Sequence, residues 1–245
     1  MRWIAPAVAT ALLVSACGGD YGGRPRLVVS AASSLTAALT SCSREFPEAD
    51  VRLQFAGSDE LAAQIRRGLK PQVFAAANTE LPEQLNREGL LEEPIVFATN
   101  ELVLAVPAGS GRPSLRRLAK SGVKLAIGSE SVPVGAYTRE LLSQLPTRMR
   151  EGILANVRSE EPDVKGIVGK LTQRAVDAGF VYETDVTAAK GKLTATHLPR
   201  FPRVRYGAGV VRETGQGAAA REYVEGLVSG NCADALEQAG FGSIR

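Results

Sequence analysis

Leu27-Val28-Val29-Ser30-Ala31-Ala32-Ser33-Ser34-Leu35-Thr36-Ala37-Ala38-Leu39 reads as an apolar strand that passes through two serines into the opening of a helix. The junction recurs downstream, where Val51-Arg52-Leu53-Gln54-Phe55 leads through Ala56-Gly57-Ser58-Asp59 into Glu60-Leu61-Ala62-Ala63-Gln64-Ile65. At each, a chain turning from strand to helix leaves backbone N–H groups without helical partners beside a hydroxyl, an arrangement suited to a small anion. Ser is also a preferred N-cap whatever a protein does, so one such junction alone means little. The pairing of two is the informative feature.

Working outward, apolar β-like runs alternate with amphipathic helical patterns, the signature of an α/β architecture with mainly parallel sheets and flanking helices. Strands are expected at 27–30, 51–55, 73–76, 101–106, 124–127, 180–182 and 206–211. Helices are expected near 35–46, 59–68, 80–88, 114–120, 135–145, 164–177, 183–189, 216–228 and 231–239. No internal repeat is evident. The length suits one large domain or two lobes. Pro107-Ala108-Gly109 and the Pro-bearing stretch 199–205 are the expected places for the chain to change lobes, which would make residues 26–105 with 206–245 one lobe and 106–205 the other.

The N-terminus reads as a targeting segment. Arg2 gives it a positive start, and Ile4 to Val14 is an apolar stretch too short to span a bilayer stably. Val14-Ser15-Ala16-Cys17 resembles a lipobox, in which the signal is cleaved before a Cys that carries diacylglycerol. Residues 1–16 are then a lipoprotein signal peptide, Cys17 the lipidated N-terminus, and the glycine-rich 17–25 a flexible tether. The expected location is outside the cell interior, anchored to the outer face of the cytoplasmic membrane.

Composition excludes several classes. The chain has 29 Lys and Arg against 26 Asp and Glu, and removal of Arg2 with the signal leaves 28. That near balance, 5% aromatics and a lone Trp within the signal give no support to a nucleic-acid partner. His197 is the only histidine and no Cys-x-x-Cys occurs, so no metal cation is expected. Cys42 and Cys232 are left either to pair as a disulfide, as an exported compartment permits, or to stand as buried thiols. A hydrolase using one of the serines would need a base, yet Gly-x-Ser-x-Gly is absent and no motif links His197 to Ser34 or Ser58. A binder of small organic solutes would show an Arg or stacking aromatics at its cleft, and Arg66-Arg67 lies too far along its helix.

Five blocks then carry a resemblance: Ala31-Ala32-Ser33-Ser34-Leu35-Thr36, Phe55-Ala56-Gly57-Ser58-Asp59-Glu60-Leu61-Ala62, Val132-Pro133-Val134-Gly135-Ala136-Tyr137, Asp163-Val164-Lys165 and Val181-Tyr182-Glu183-Thr184-Asp185. In this order and spacing the chain resembles the periplasmic molybdate-binding proteins over nearly all of residues 26–242. The resemblance implies a type II periplasmic-binding-protein fold, with two lobes joined by two hinge crossovers and the ligand in the cleft. It implies a monomeric, non-enzymatic substrate-binding component that passes molybdate, and tungstate with it, to an ABC permease and its ATPase, without any cofactor. It also implies the oxyanion ligands: Ser34 and Ser58 from one lobe, Val134, Val164 and Tyr182 from the other.

Those residue types suit the anion independently of the family. Molybdate at neutral pH is a deprotonated tetrahedral dianion, so all four oxygens accept and the site needs only donors. Serine hydroxyls, a phenol and helix-start amides supply them, and a valine qualifies through its amide. Taken singly, Val164 and Tyr182 would sooner be core residues. Tyr137 is expected to pack on its helix. Asp59 and Glu60 are expected to face outward as first-turn acids; an inward Asp59 would instead favour hydrogen phosphate. Pro71-Gln72 and Ala77-Asn78 depart from the family pattern in charge and bear on lobe packing. Sulfate, smaller with the same charge, is the nearest competitor.

Overall fold

A computed structural model describes residues 24–198, 201 and 203–244; the signal segment and Cys17 lie outside the described residues. In chain order the elements begin with β1 (Arg26–Ala32), a 3-10 turn (Ser33–Leu35), α1 (Thr36–Ser43), β2 (Asp50–Ala56), α2 (Ser58–Arg66), β3 (Val73–Ala76), α3 (Glu80–Arg87) and β4 (Ile95–Asn100). They continue with β5 (Leu102–Pro107), α4 (Leu115–Leu118), β6 (Leu125–Gly128), α5 (Pro133–Ser143), α6 (Thr147–Leu154), β7 (Val157–Glu161), α7 (Val164–Thr172), β8 (Ala178–Tyr182), α8 (Glu183–Ala188) and β9 (Leu193–His197). The chain ends with β10 (Val204–Val210), α9 (Gly217–Gly226) and α10 (Asn231–Gln238).

These strands form two five-stranded sheets, ordered β2-β1-β3-β10-β4 and β7-β6-β8-β5-β9. Strands joined through helices run parallel, as in β1 with β2 and with β3, or β6 with β7 and with β8. Strands that carry the chain between sheets run against their neighbours: β10 is antiparallel to β3 and β4, and β5 to β8 and β9. The sheets are therefore mixed where the sequence suggested mainly parallel ones, because each crossover delivers a strand from the opposite direction. The fold is α/β and two-lobed, with both faces of the central strands covered; all four residues of β3 and all six of β5 are buried.

The sequence reading needs correction at the first crossover. Leu102–Pro107 pairs with β8 and β9, so it belongs to the second lobe, and the chain changes lobes at Asn100-Glu101 rather than near Pro107. Pro107-Ala108-Gly109 is instead an ordinary turn at a strand end, with Ser110 N–H bonded to Pro107 C=O. The chain returns to the first sheet between β9 and β10. Strands β4, β7 and β9 and helix α6 were also not foreseen. All three strands are sheet edges, and β7 (Val-Arg-Ser-Glu-Glu) and β9 (Leu-Thr-Ala-Thr-His) also have exposed positions and polar side chains that blur the alternation expected of a strand.

Cys42 and Cys232 form a disulfide, Cα atoms 4.9 Å apart, tying α1 to α10 across 190 residues of sequence. Ser43 beside it bonds the Tyr223 hydroxyl of α9 at 2.8 Å, so the C-terminal helices are clamped to the first lobe by two adjacent links. A loop of that length restricts the unfolded chain strongly. We expect Cys42→Ser with Cys232→Ser to cost about 2–5 kcal/mol of stability. The check is a urea unfolding midpoint with and without reductant: the native chain shifts on reduction and the variant does not.

Candidate functional site

Five segments that start helices meet in one small cavity between the sheets. The first lobe lines it with Ser33, Ser34, Gly57, Ser58 and Ala77, the second with Val132, Pro133, Val134, Asp163, Val164 and Tyr182. All five residues expected as ligands therefore lie on one cavity wall or another. Wider grooves elsewhere, beside Glu83 and Arg87 or beside Arg112, Arg117 and Asp177, are open and mix charges of both signs.

Local sequence explains each placement. Ser34 sits in the 3-10 turn that carries β1 into α1, and Ser58 is the first residue of α2 after an extended Gly57. Val134 is the second residue of α5, behind Pro133, which suits a first helical position because it has no N–H to satisfy. Gly135 is required next: a Cβ there would collide with the carbonyls of Gly128 and Ser129, so only glycine lets α5 begin this close to the end of β6. Val164 opens α7, whose N-cap Asp163 accepts from Gly166 N–H at 3.0 Å. Tyr182 is the N-cap of α8. First-turn amides have no helical acceptor, and each helix start carries partial positive charge.

The lining contains no Lys or Arg among the described residues. Lys165, next to Val164, instead reaches the buried Asp185 at 3.0 Å. Burial raises the Asp185 carboxyl while Lys165 pulls it back down. Its other oxygen accepts from Tyr182 N–H at 3.3 Å, so Asp185 ties the start of α7 to the end of β8. The Tyr182 side chain is 1% exposed and its hydroxyl makes no hydrogen bond within the protein. Burial first, and then neighbouring Tyr206, push that phenol well above its ordinary pKa, so it stays neutral and keeps its proton to donate. Ser34 Oγ lies 3.0 Å from Tyr206 Oη, and Ser58 Oγ accepts from Ala77 N–H at 3.1 Å.

Asp59 departs from its expected outward pose. It is absent from the cavity wall, yet Ser131 of the second lobe donates to its Oδ2 at 2.5 Å and its Oδ1 is buried. It spans the cleft mouth where the two lobes touch. Glu60 is exposed and accepts from Gln64. Tyr137 packs edge-on against Phe201, its pKa pushed up to about 12 mainly by burial. His197 pairs with Glu101 at 3.2 Å on the surface and is not part of the cavity wall. Gln72 accepts from Val28 N–H at 2.7 Å and Asn78 from Leu81 N–H, so the two departures from the family pattern hold strand and helix ends. Asn100, Tyr206, Gly57 and Ala77 escaped the sequence reading as participants; only Gly57 carried a signal, being the residue before the second serine.

A model of the bacterial extracellular solute-binding proteins matches residues 27–242. The chain is 33% identical to the molybdate-binding protein ModA of Mycobacterium tuberculosis (strain ATCC 25618 / H37Rv), over 98% of this chain and 99% of that protein. Its fold is similar to that of the periplasmic molybdate-binding protein of Azotobacter vinelandii, with a TM-score of 0.77 at 20% identity, over 89% of this chain and 100% of the other. It is similar as well to the sulfate-binding protein SubI of Mycobacterium tuberculosis H37Rv, with a TM-score of 0.79 at 13% identity, over 90% and 87% of the two chains.

At the cleft mouth a Cβ on Gly57 would collide with the Pro162 carbonyl oxygen and press on Val132, both of the second lobe, and would also push aside the Asp59 side chain of its own helix. Its backbone is otherwise open to alanine, with φ −61°. Gly57→Ala should therefore leave the unliganded thermal midpoint nearly unchanged while weakening any ligand that needs the lobes together by about 1–3 kcal/mol, the usual cost of overpacking. Calorimetric titration against the native chain reads the difference.

Proposed function

This chain belongs to the bacterial extracellular solute-binding proteins, in the family of the molybdate-binding proteins, and we propose that it captures molybdate, with tungstate as an equivalent, in the cleft between its lobes. The observation that carries this reading is the character of the cavity wall: helix starts, the serines at 33, 34 and 58 and a phenol, with no cation and with the one lining carboxylate, Asp163, turned to its own helix. Such a wall offers hydrogens and little else. A fully deprotonated tetrahedral dianion has only acceptors to offer in return.

Ser34, Ser58, Tyr182 and the amides of Val134 and Val164 are the proposed ligands. Neutral donors at several helix ends balance the dianion without a formal positive charge that would have to be desolvated when the cleft closes. Hydrogen phosphate would need an acceptor for its own proton, and Asp59, the residue that would favour it, is absent from the cavity wall, with Oδ2 bonded to Ser131 and Oδ1 buried without a partner. Sulfate remains the competing reading, supported by the likeness of fold to a sulfate-binding protein. A catalytic role lacks a base, since Ser34 is partnered by a tyrosine and His197 by Glu101.

In the proposed cycle the anion lands on one lobe, motion about the two crossovers between the sheets brings the other onto it, and the closed monomer delivers it to an ABC permease with its ATPase. Cys17, lipidated, holds the protein at the outer face of the cytoplasmic membrane, where two acyl chains suffice for stable attachment.

Titration calorimetry of the domain from residue 24 onward should give one-to-one binding of molybdate and tungstate, with sulfate and phosphate weaker. Ser58→Ala should cost about 1–3 kcal/mol, the loss of one charge-assisted bond. Tight sulfate with weak molybdate would sink the molybdate reading while keeping the oxyanion site. In cells, Cys17→Ala should move the protein from the membrane fraction to the soluble one.

A further inference from the structure

Ser34 is the end of a hydrogen-bonded chain whose direction is set at the hinge. Glu101 N–H donates to Asn100 Oδ1 at 2.9 Å, which decides the amide's orientation and leaves Nδ2 with two hydrogens. One goes to Thr184 Oγ1 of the second lobe at 2.9 Å, the other to Tyr206 Oη at 3.3 Å. Tyr206 thus accepts from Asn100, and its single proton needs an acceptor in a fully buried place. Ser34 Oγ lies 3.0 Å away. The other group beside that proton is the Tyr182 hydroxyl, itself on the cavity wall, and a Tyr206 that donates to Ser34 leaves Tyr182 free to face the cavity. With Ser34 as the acceptor, its own hydrogen is left for the cavity it lines.

We propose that Asn100 and Tyr206 are positioning residues that set the polarity of Ser34, presenting its hydroxyl to the ligand as a donor and so favouring bare oxyanions over those that carry a proton. The proposal rests on the oxyanion reading of the cleft. Neither residue lines the cavity; both act through Ser34. The chain also reports on the lobes, because the amide that orients Tyr206 is the one that bonds Thr184 across the first crossover. The opposing serine is set the same way by simpler means, since Ala77 N–H donates to Ser58 Oγ.

Tyr206→Phe removes the proton donor and keeps the ring, which packs edge-on against Phe97, Tyr182 and Phe241. Calorimetric titrations of the native chain, Tyr206→Phe, Ser34→Ala and the double variant with molybdate and with hydrogen phosphate form the test. Tyr206→Phe should weaken molybdate about five- to ten-fold, the range of one ordinary hydrogen bond. It should weaken hydrogen phosphate less, so that the ratio of the two affinities falls. In the Ser34→Ala background the same substitution should change neither, because the group through which it acts is gone. Asn100→Ala, which cuts the chain at its source, should reproduce the fall in the ratio and serves if Tyr206→Phe fails to fold. Equal losses for both anions, or losses that add fully in the double variant, would overturn the proposal. A native chain that binds no oxyanion would instead overturn the reading of the cleft on which it rests.

Discussion

On the proposed reading, a dianion held without a cation is the constraint on which this architecture depends. Lysine or arginine would neutralise the charge directly, but each would have to shed water when the cleft closes and would hold the anion against release. Backbone amides at helix starts avoid both difficulties, since each helix carries about half a positive charge at its beginning. One start is too weak and too local. Several must face a single point, and a point reached by the starts of α1, α2, α5, α7 and α8 can lie only between two sheets whose strand ends are turned toward each other. The doubled strand-to-helix junction of the first lobe is half of such a device; the second lobe supplies the rest.

Splitting the donors between lobes makes occupancy and closure one event. The first lobe's serines and the amides near them are too few for a dianion's lone pairs, and the 3-10 turn that bears Ser34 packs against α7 of the second lobe. The covalent connections are spare: Asn100-Glu101 on one side and the short stretch between β9 and β10 on the other. Everything else across the cleft is reversible, the contact of Gly57 with Pro162 and the bond of Ser131 to Asp59 included. The disulfide, by contrast, lies entirely within the first lobe and leaves the hinge alone.

How much of this could be read in the sequence follows from the range of the forces involved. Ser34 and Ser58 were legible because a strand, a small polar residue and a helix opening are consecutive. Val134 and Val164 were legible only through resemblance, since an amide that binds through its N–H leaves no trace in residue type. Asn100 and Tyr206 were illegible: Ser34 and Tyr206 are 172 residues apart, and nothing local to Arg205-Tyr206-Gly207 announces a partner. The first crossover was misplaced for a related reason. Proline and glycine advertise a turn at Pro107–Gly109, whereas β4 runs into β5 through the ordinary pair Asn100-Glu101, whose significance comes from which sheet each strand joins.

Electrostatics alone leaves one problem open to geometry. Sulfate and molybdate present the same charge and the same four acceptors, so helix starts and hydroxyls attract both. What can separate them is the distance at which the lobes stop. That distance is set outside the ligand, by backbone against backbone at Gly57 and Pro162, by the Val132 side chain, and by the short bond between Ser131 and Asp59. These contacts are stiff because close-packed interiors resist compression. A smaller tetrahedron therefore cannot draw the lobes further in to recover its hydrogen bonds, and reaches one wall or the other but not both. On the proposed reading, size discrimination in this cleft is then a matter for residues that never touch the anion, just as the proposed polarity of Ser34 is for Asn100 and Tyr206.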